Sequence, residues 1–423
     1  MRQTKFVIFA LSMVAILSAC QSGGKQNKNI TLISPENTTM LTDTCKAYVD
    51  AMRKQQEDLK AEGLDIYKYN EKFDKGISVE SYLDKGGTEG KNQTVSGAVP
   101  DRSDKNIGVD LKFEVKEGAE VAEYKVLVST DNKFENAKEY VTNTTSINVN
   151  NLFVNTKYYW KVVTEQGESA VSDFTTADYP RWITARPMYN VRDTGGYMTY
   201  SGKRVKQGII FRGGEITNKA WSEHLKTNAE SSKKAFREDM GMVGGLELDL
   251  RGTSDIGDGY KACAFAENGD IAYVMHAIKS YEQTFTNTRS EVAKIFKDIY
   301  DRISQPEQKH IYYHCYGGAD RTGTLGFLIN GLLGVSYTDL AIDFELTSYS
   351  SINNEHIRNR QDGHQHQYDR WPALIKQLKT DKTNGYAWDD NALLKDNIAN
   401  FLKTACKVDA NIVDAFPSLM LED

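Results

Sequence analysis

The chain has 423 residues, of which 40% are hydrophobic and 26% are charged, a composition typical of a globular protein. This length predicts two or three domains. The formal net charge of -6 argues against a nucleic-acid partner, because no basic stripe is available to neutralise phosphates.

The first 20 residues predict a targeting segment. Arg2 and Lys5 give a positive start, and residues 6–17 form an apolar run too short to span a bilayer comfortably. Residues 17–20, Leu-Ser-Ala-Cys, resemble the bacterial lipobox, in which the chain is cleaved before the cysteine. The resemblance implies a lipoprotein whose Cys20 carries acyl chains such as palmitate and anchors it in the bacterial cell envelope. An ordinary secretory signal is the alternative.

The residue after Cys20 bears on which membrane holds the anchor. Gln21 stands where an aspartate would be the usual signal for retention in the inner membrane. We therefore expect attachment to the outer membrane, on its periplasmic or its surface face. Residues 21–29 predict a flexible tether.

An all-β domain is predicted over residues 30–177. Apolar and polar residues alternate in short runs at residues 109–115, 124–128, 146–149, 158–163 and 170–174. This spacing predicts an antiparallel sandwich. Residues 152–162 resemble the penultimate strand of a fibronectin type III module, and residues 30–35 are the expected first strand. Between them, about residues 39–105 predict an insertion that is partly helical, over residues 41–61, and otherwise irregular.

The role of this sandwich is open between two interpretations. It could bind a partner or a glycan, or it could be a spacer or docking platform for the following domain. We favour the spacer or platform, because a fold does not by itself imply a function.

A second domain is predicted over residues 178–423, where strands and helices alternate. The strands are expected at residues 209–211, 245–250, 271–275 and 311–313. The helices are expected at residues 222–240, 290–303, 325–333, 340–351, 372–378 and 391–406. Such alternation predicts an α/β fold with a mostly parallel sheet flanked by helices. Ligands bind beyond the carboxyl ends of the strands in such sheets.

One loop at such a strand end concentrates the chemistry. Residues 314–323 read His-Cys-Tyr-Gly-Gly-Ala-Asp-Arg-Thr-Gly, between a strand and a buried helix that Gly334 closes. Its glycines allow successive backbone N–H groups to point inward, and the start of the helix adds its positive end. The pattern predicts a cradle for a tetrahedral dianion with a nucleophile at its base.

Each residue type in the loop has a predicted role. Cys315 is the nucleophile, because inward N–H groups and a nearby arginine favour its thiolate. Arg321 grips two phosphoryl oxygens. Asp320 protonates the leaving oxygen and then activates water, while Thr322 donates its hydroxyl to the sulfur. The predicted phosphate-binding residues are Tyr316, Gly317, Gly318, Ala319, Asp320 and Arg321.

These residues carry a resemblance to a known family. His-Cys-x5-Arg-Thr-Gly is the signature of the cysteine-dependent protein phosphatases. Residues 190–197 resemble the Asn-x-Arg-Asp-x-Gly-Gly motif of the atypical bacterial and fungal tyrosine/serine phosphatases that include mycobacterial tyrosine phosphatase B. Residues 208–215 and 248–251 resemble two further segments of that family in the same order. Four ordered motifs make this resemblance specific.

The resemblance implies a protein-tyrosine phosphatase (a phosphoric monoester hydrolase) with a cysteinyl-phosphate intermediate, no cofactor and no metal. The expected partner is a protein bearing phosphotyrosine, with phosphoserine and phosphothreonine left open. Many relatives carry a lysine, associated with phosphoinositide substrates, where this chain has Ala319. A phosphoinositide or small phosphoester phosphatase is therefore the weaker alternative. From another class, the alternative is a surface binding lipoprotein with vestigial phosphatase activity.

The general acid and the supporting residues are also expectations. We favour Asp320 over Asp255 and Asp258, which lie in a Gly-rich stretch after the Asp-Leu-Arg segment. The residues expected to support the loop structurally, without contacting the substrate, are His314, Arg192, Asp193 and Arg251.

The remaining histidines and cysteines are less informative. His364 and His366 are expected in a surface loop, since two histidines without another ligand rarely hold a metal. Three cysteines remain besides Cys20 and Cys315, and a Cys263–Cys406 disulfide is one pairing among these. The oligomeric state is not predicted.

Overall fold

The structure is a computed structural model that describes residues 25–75, 107–185, 188–216, 234–256, 271–307, 309–352, 355–356 and 370–423. The chain divides into two compact units. The first unit takes its described residues from 1–38, 110–148 and 156–175, and the second from 39–109, 149–155 and 176–423. The predicted targeting segment, including Cys20, lies outside the described residues.

The first unit is built from short strands. They are β1 (Ile30–Ile33), β2 (Val109–Val115), β3 (Tyr124–Ser129), β4 (Lys138–Thr142), β5 (Ser146–Val149), β6 (Lys157–Thr164), β7 (Gly167–Glu168) and β8 (Ser172–Thr175). The five strand runs predicted after residue 108 are confirmed within one or two residues. The strands β4 and β7 were not predicted, because neither buries a residue and so neither shows an apolar alternation.

These strands form two sheets. One has the order β1-β2-β5, and the other has the order β4-β3-β6-β7 with β8 also paired to β6. Alternate residues of β2 are buried, and the ring of Phe113 lies 5.0 Å from that of Tyr124 on β3. The apolar faces of the two sheets therefore pack against each other, as period-two alternation requires.

The second unit mixes strands and helices, which confirms the predicted α/β class. Its strands are β9 (Arg192–Asp193), β10 (Ile210–Gly213), β11 (Leu246–Asp249), β12 (Ala272–Met275), β13 (Ile311–His314), β14 (Ser351–Ile352) and β15 (Glu355–His356). Its described α-helices are α1 (Asp43–Ala61), α2 (Thr253–Ile256), α3 (Glu282–Asn287), α4 (Arg289–Ile303), α5 (Asp320–Leu333), α6 (Tyr337–Glu345), α7 (Arg370–Thr380), α8 (Leu394–Thr404) and α9 (Ala410–Met420).

A five-stranded sheet orders this unit as β12-β11-β13-β10-β9. The strands β12, β11, β13 and β10 run parallel, and β9 is antiparallel to β10. The predicted helix at residues 222–240 lies largely outside the described residues, and its end at Ala235–Asp239 is a π-helical turn.

The helix α5 follows the central strand and is buried on nearly every side. It packs against α6, α8 and α9, and Gly334 ends it with a left-handed φ of 84°. Burial all round explains why its sequence is a continuous apolar run without a polar face.

The helix α1 lies in the second unit, although the sequence analysis assigned it to an insertion in the β-domain. Its buried residues Cys45, Tyr48, Val49 and Met52 belong to the hydrophobic core of that unit. Helical spacing predicted the helix correctly, but it carries no information about which surface the apolar face covers. Of the helices in the described ranges, none has both the length and the apolar character needed to cross a bilayer.

Candidate active site

The predicted site lies where three parallel strands end side by side. Gly213 at the end of β10 and Asp249 at the end of β11 both stand opposite His314 at the end of β13. The loops that follow these strands therefore start from one edge of the sheet, where α/β folds bind their ligands.

The loop from Cys315 to Ala319 packs against the backbone after β10. Gly318 has a φ of +68°, and a Cβ atom on it would lie 2.4 Å from the carbonyl carbon of Gly213. Only glycine meets both demands, because a left-handed φ and a close backbone approach each disfavour a side chain.

Every carbonyl oxygen of this loop accepts a hydrogen bond from the surrounding protein. The donors are His314 Nδ1 to Cys315 (3.1 Å), the Tyr189 hydroxyl and Glu215 N–H to Tyr316 (3.0 Å each), Asn190 Nδ2 to Gly317 (3.0 Å), Arg212 Nη2 to Gly318 (3.0 Å) and Gly323 N–H to Ala319 (2.9 Å). In a planar trans peptide the next N–H points away from the carbonyl. The N–H groups of residues 316–320 therefore point away from these donors.

Asn190 and Arg192 explain the spacing of the Asn-x-Arg motif. Asn190 is buried with a φ of 56°, a region that asparagine tolerates better than most residues. Its amide donates to Gly317, and its oxygen accepts from Arg192. Burial, aided by the charge of Arg212, lowers the pKa of Arg192 to about 10. Arg192 therefore holds Asn190 in place, and Asn190 in turn bonds to the loop at Gly317.

Asp343 on α6 joins this arginine to the next one. Its carboxylate accepts from Arg192 Nε at 3.3 Å and from Arg212 Nη1. Burial disfavours the charge of Arg212, but Asp343, together with Tyr313 and Tyr197, raises the pKa of Arg212 overall. No motif marked Asp343 in the sequence, since it lies 151 residues from Arg192.

Asp193 and Arg251 are buried and bonded to the protein. Asp193 accepts from Arg181 Nη1 at 2.6 Å and from the N–H groups of Gly195 and Gly208 at 2.8 and 2.6 Å. Arg251 pairs with Asp249 at 2.7 Å and with Glu215. The bonds of Arg251 join the segments that follow β10 and β11 beside the loop, whereas those of Asp193 hold Gly195 and Gly208, before β10 begins.

Both ring nitrogens of His314 face oxygen atoms. Nδ1 faces the carbonyl oxygen of Cys315, and Nε2 faces Glu247 Oε1 at 3.0 Å; both partners are acceptors. Burial acts to lower the pKa of His314, but the charges of Asp249 and Glu247 raise it overall. The ring of His314 thus orients the first peptide of the loop.

Cys315 is almost fully buried, with 3% of its surface exposed, at the start of the loop. Arg321 forms a two-pronged ion pair with Asp255, with N–O distances of 2.8 and 3.1 Å. Burial lowers the pKa of Arg321, but the Asp255 hydrogen bond and the charge of Cys315 raise it overall. The Arg321 guanidinium therefore lies within electrostatic range of the Cys315 sulfur.

The two described candidates for the general acid have different partners. Burial raises the pKa of Asp255, but its hydrogen bonds from Arg321 and Gly252 lower it overall, so it is held as a carboxylate. Asp320, the first residue of α5, accepts a hydrogen bond at Oδ1 from the Tyr281 hydroxyl. Asp258 lies outside the described residues. Tyr281 was missed by sequence reasoning, because nothing local marks it.

The predicted bond from Thr322 to the sulfur is not formed. Thr322 Oγ1 is buried and has no hydrogen-bond partner among the described residues. Thr322 lies in the first turn of α5, so its side-chain direction is set by the helix, which its sequence position alone did not reveal.

The other described cysteines are buried free thiols. Burial raises the pKa of Cys45 and of Cys406 to about 12 in each case. The Cys263–Cys406 pairing suggested from the cysteine count is wrong for this structure, in which Cys406 is free. Cys263, His364 and His366 lie outside the described residues.

Comparison with known proteins identifies the family of this chain. A search of curated proteins found no match. A model described as the tyrosine phosphatase family matches residues 183–422, which include the loop, the residues that brace it and the helices behind it. Since this match covers more than half of the chain, the chain belongs to the tyrosine phosphatase family.

Proposed function

We propose that the protein is a cysteine-dependent protein-tyrosine phosphatase. The observation that supports this most is the loop itself: all five carbonyl oxygens from Cys315 to Ala319 accept hydrogen bonds from the protein. We infer that the opposed N–H groups surround the space next to the sulfur. Preorganised N–H donors of this kind stabilise the charge that develops on a phosphoryl group.

The reaction runs in two steps in this proposal. The Cys315 thiolate attacks phosphorus, the bond to the leaving oxygen breaks, and Asp320 gives that oxygen a proton. The loop N–H groups and Arg321 hold the phosphoryl oxygens. Water then attacks the cysteinyl phosphate, Asp320 takes its proton, and inorganic phosphate leaves with Cys315 restored.

Asp320 is the better candidate for the acid. The two-pronged pair with Arg321 and the lowered pKa keep Asp255 ionised, so it has no proton to give at neutral pH. Asp255 instead pairs with both terminal nitrogens of Arg321, the residue proposed to hold phosphate. We infer that a bound phosphoryl group shares or replaces this contact.

The decisive experiment compares wild type with Cys315→Ser on an aryl phosphate. We expect turnover to be lost and acid-stable labelling from a 32P-labelled substrate to disappear, because a hydroxyl is far less ionised than a thiol. Cys406→Ala is the matched control, as it removes a buried thiol elsewhere and should keep turnover. Equal turnover by Cys315→Ser and wild type would overturn the proposal.

A substrate panel tests the class of phosphoester. We propose phosphotyrosine in proteins, because Ala319 leaves the loop without the extra cation associated with phosphoinositides. Phosphoserine, phosphothreonine, phosphoinositides and small phosphoesters belong in the same panel. A strong preference for the lipid would replace the proposed substrate without affecting the role of Cys315.

We also propose that the first unit is a fibronectin type III-like module and that the protein is lipid-anchored at Cys20 in the outer membrane. Two packed antiparallel sheets support the module, and the Leu-Ser-Ala-Cys sequence supports the anchor. Incorporation of labelled palmitate, compared between wild type and Cys20→Ala, tests the anchor. If the sandwich binds a surface partner while Cys315→Ser changes nothing, the binding-protein alternative is correct.

A further inference from the structure

Tyr281 is held on three sides beside the candidate acid. Its hydroxyl donates to Asp320 Oδ1, the guanidinium carbon of Arg370 lies 5.1 Å from its ring centre, and the ring of Phe344 lies 6.2 Å away. Only 6% of its surface is exposed. These contacts hold the Tyr281 hydroxyl at one position, where it donates a hydrogen bond to Asp320.

The backbone of Tyr281 supports a special role. Its φ of 52° and ψ of -134° lie in a region that residues with a side chain rarely adopt. Such strain persists where the surrounding structure holds the residue, and it is concentrated at functional sites. A turn before α3 that needed only this backbone shape would be expected to carry glycine, which adopts positive φ freely.

We propose that Tyr281 is a positioning residue that selects which oxygen of Asp320 carries the transferred proton. This inference rests on the proposed role of Asp320 as the general acid. Because Oδ1 accepts the Tyr281 hydrogen bond, the proton of a neutral Asp320 resides on Oδ2.

The proton balance follows directly. As sulfur bonds to phosphorus and the leaving oxygen departs, the Oδ2 proton moves to that oxygen. As water later attacks and the sulfur–phosphorus bond breaks, Oδ2 accepts a proton from the water. Tyr281 keeps its own proton throughout and touches neither the substrate nor the sulfur in this scheme. Without its hydroxyl, the carboxyl group can rotate and present either oxygen.

The leaving group of the substrate separates positioning from general structural support. A phenolate is a poor leaving group that needs the proton, whereas a dinitrophenolate departs without one. With Tyr281→Phe we expect kcat/KM for phenyl phosphate, which covers only the steps up to departure of the leaving group, to fall by about tenfold, a part of the 10²–10⁴-fold that a placed acid contributes. For 2,4-dinitrophenyl phosphate we expect kcat/KM to change by less than about twofold, since general acid catalysis contributes little to that departure.

The ratio of the two kcat/KM values, measured on one preparation, does not depend on how much protein is folded. Tyr386→Phe is the matched control: its hydroxyl is buried and has no hydrogen-bond partner among the described residues, so the ratio should not change. Asp320→Asn should already show the full loss for phenyl phosphate, and adding Tyr281→Phe should leave its ratio unaltered.

Three results would overturn the inference. Tyr281→Phe could lower both substrates equally, or leave both unchanged, or shift the ratio further in the Asp320→Asn background. If Asp320→Asn itself leaves the ratio unchanged, Asp320 is not the acid and the inference fails with its premise. The activity of Cys315→Ser reports on the proposed function separately from all of these.

Discussion

Replacing Gly318 with alanine tests whether the loop geometry is the source of activity. A Cβ atom 2.4 Å from the carbonyl carbon of Gly213 must retreat by about 1 Å to reach ordinary contact at 3.4 Å. A left-handed φ costs a residue with a side chain about 1–2 kcal/mol. Movement of the loop also breaks the hydrogen bond from Arg212 to the Gly318 carbonyl, a charged donor whose loss costs about 1.5–3 kcal/mol. The expected loss of unfolding free energy is therefore about 2.5–5 kcal/mol.

The catalytic activity of Gly318→Ala should fall together with its stability. A displacement of about 1 Å among positioning groups can cost about 10²-fold in rate, so we expect at least that loss of kcat/KM on an aryl phosphate. The matched control is Gly202→Ala, because Gly202 has a φ of +77° but open space within 4 Å. It should lose only about 1–2 kcal/mol in urea unfolding and keep its activity. If the two variants behave alike in both assays, the close approach of the loop to Gly213 is not what shapes the site.

Two further predictions concern charge and ionisation. Because the folded pKa of Asp255 is depressed, its contribution to stability is present above the ordinary pKa of 3.8 and is lost as pH falls through the folded value. The gap in unfolding free energy between wild type and Asp255→Asn should therefore be open at pH 7 and close below about pH 4, and a gap independent of pH would refute this. Burial holds the thiols of Cys45 and Cys406 protonated, with pKa values of about 12, so iodoacetamide at pH 8 should leave them unmodified until the protein unfolds, as peptide mass spectrometry would show. Rapid modification of either one in the folded protein would contradict that burial.

The features that could be predicted from sequence are those that one short segment specifies. The loop after Cys315 was predictable because the glycine spacing, the strand before it and the apolar run after it lie within about twenty residues. The helix α4 was predictable because its buried residues recur at helical spacing. In both cases the residues of one short segment are enough to specify the local structure.

The partners of the site residues could not be predicted in this way. Asp343 reaches Arg192 across 151 residues, and Tyr281 reaches Asp320 across 39, so only the folded chain brings them together. The prediction of a hydrogen bond from Thr322 to the sulfur is wrong for a different reason. Thr322 lies next to the loop as predicted, but the helix sets the direction of its hydroxyl. Tertiary packing decides contacts that no local pattern records.

The placement of α1 has a consequence for biosynthesis. Its Arg53 pairs with Asp339, 286 residues later, and its Tyr48 ring lies 6.0 Å from that of Tyr349. At about 5–20 residues per second, the ribosome needs roughly 15–60 s to make these partners after the helix emerges. During that interval the apolar side of the helix lacks these later partners. Conversely, a gene fragment cut at residue 178 would encode the phosphatase motifs with a groove where the helix belongs. We expect that fragment to aggregate, and co-expression of residues 39–75 as a separate peptide to restore soluble protein if this account is right.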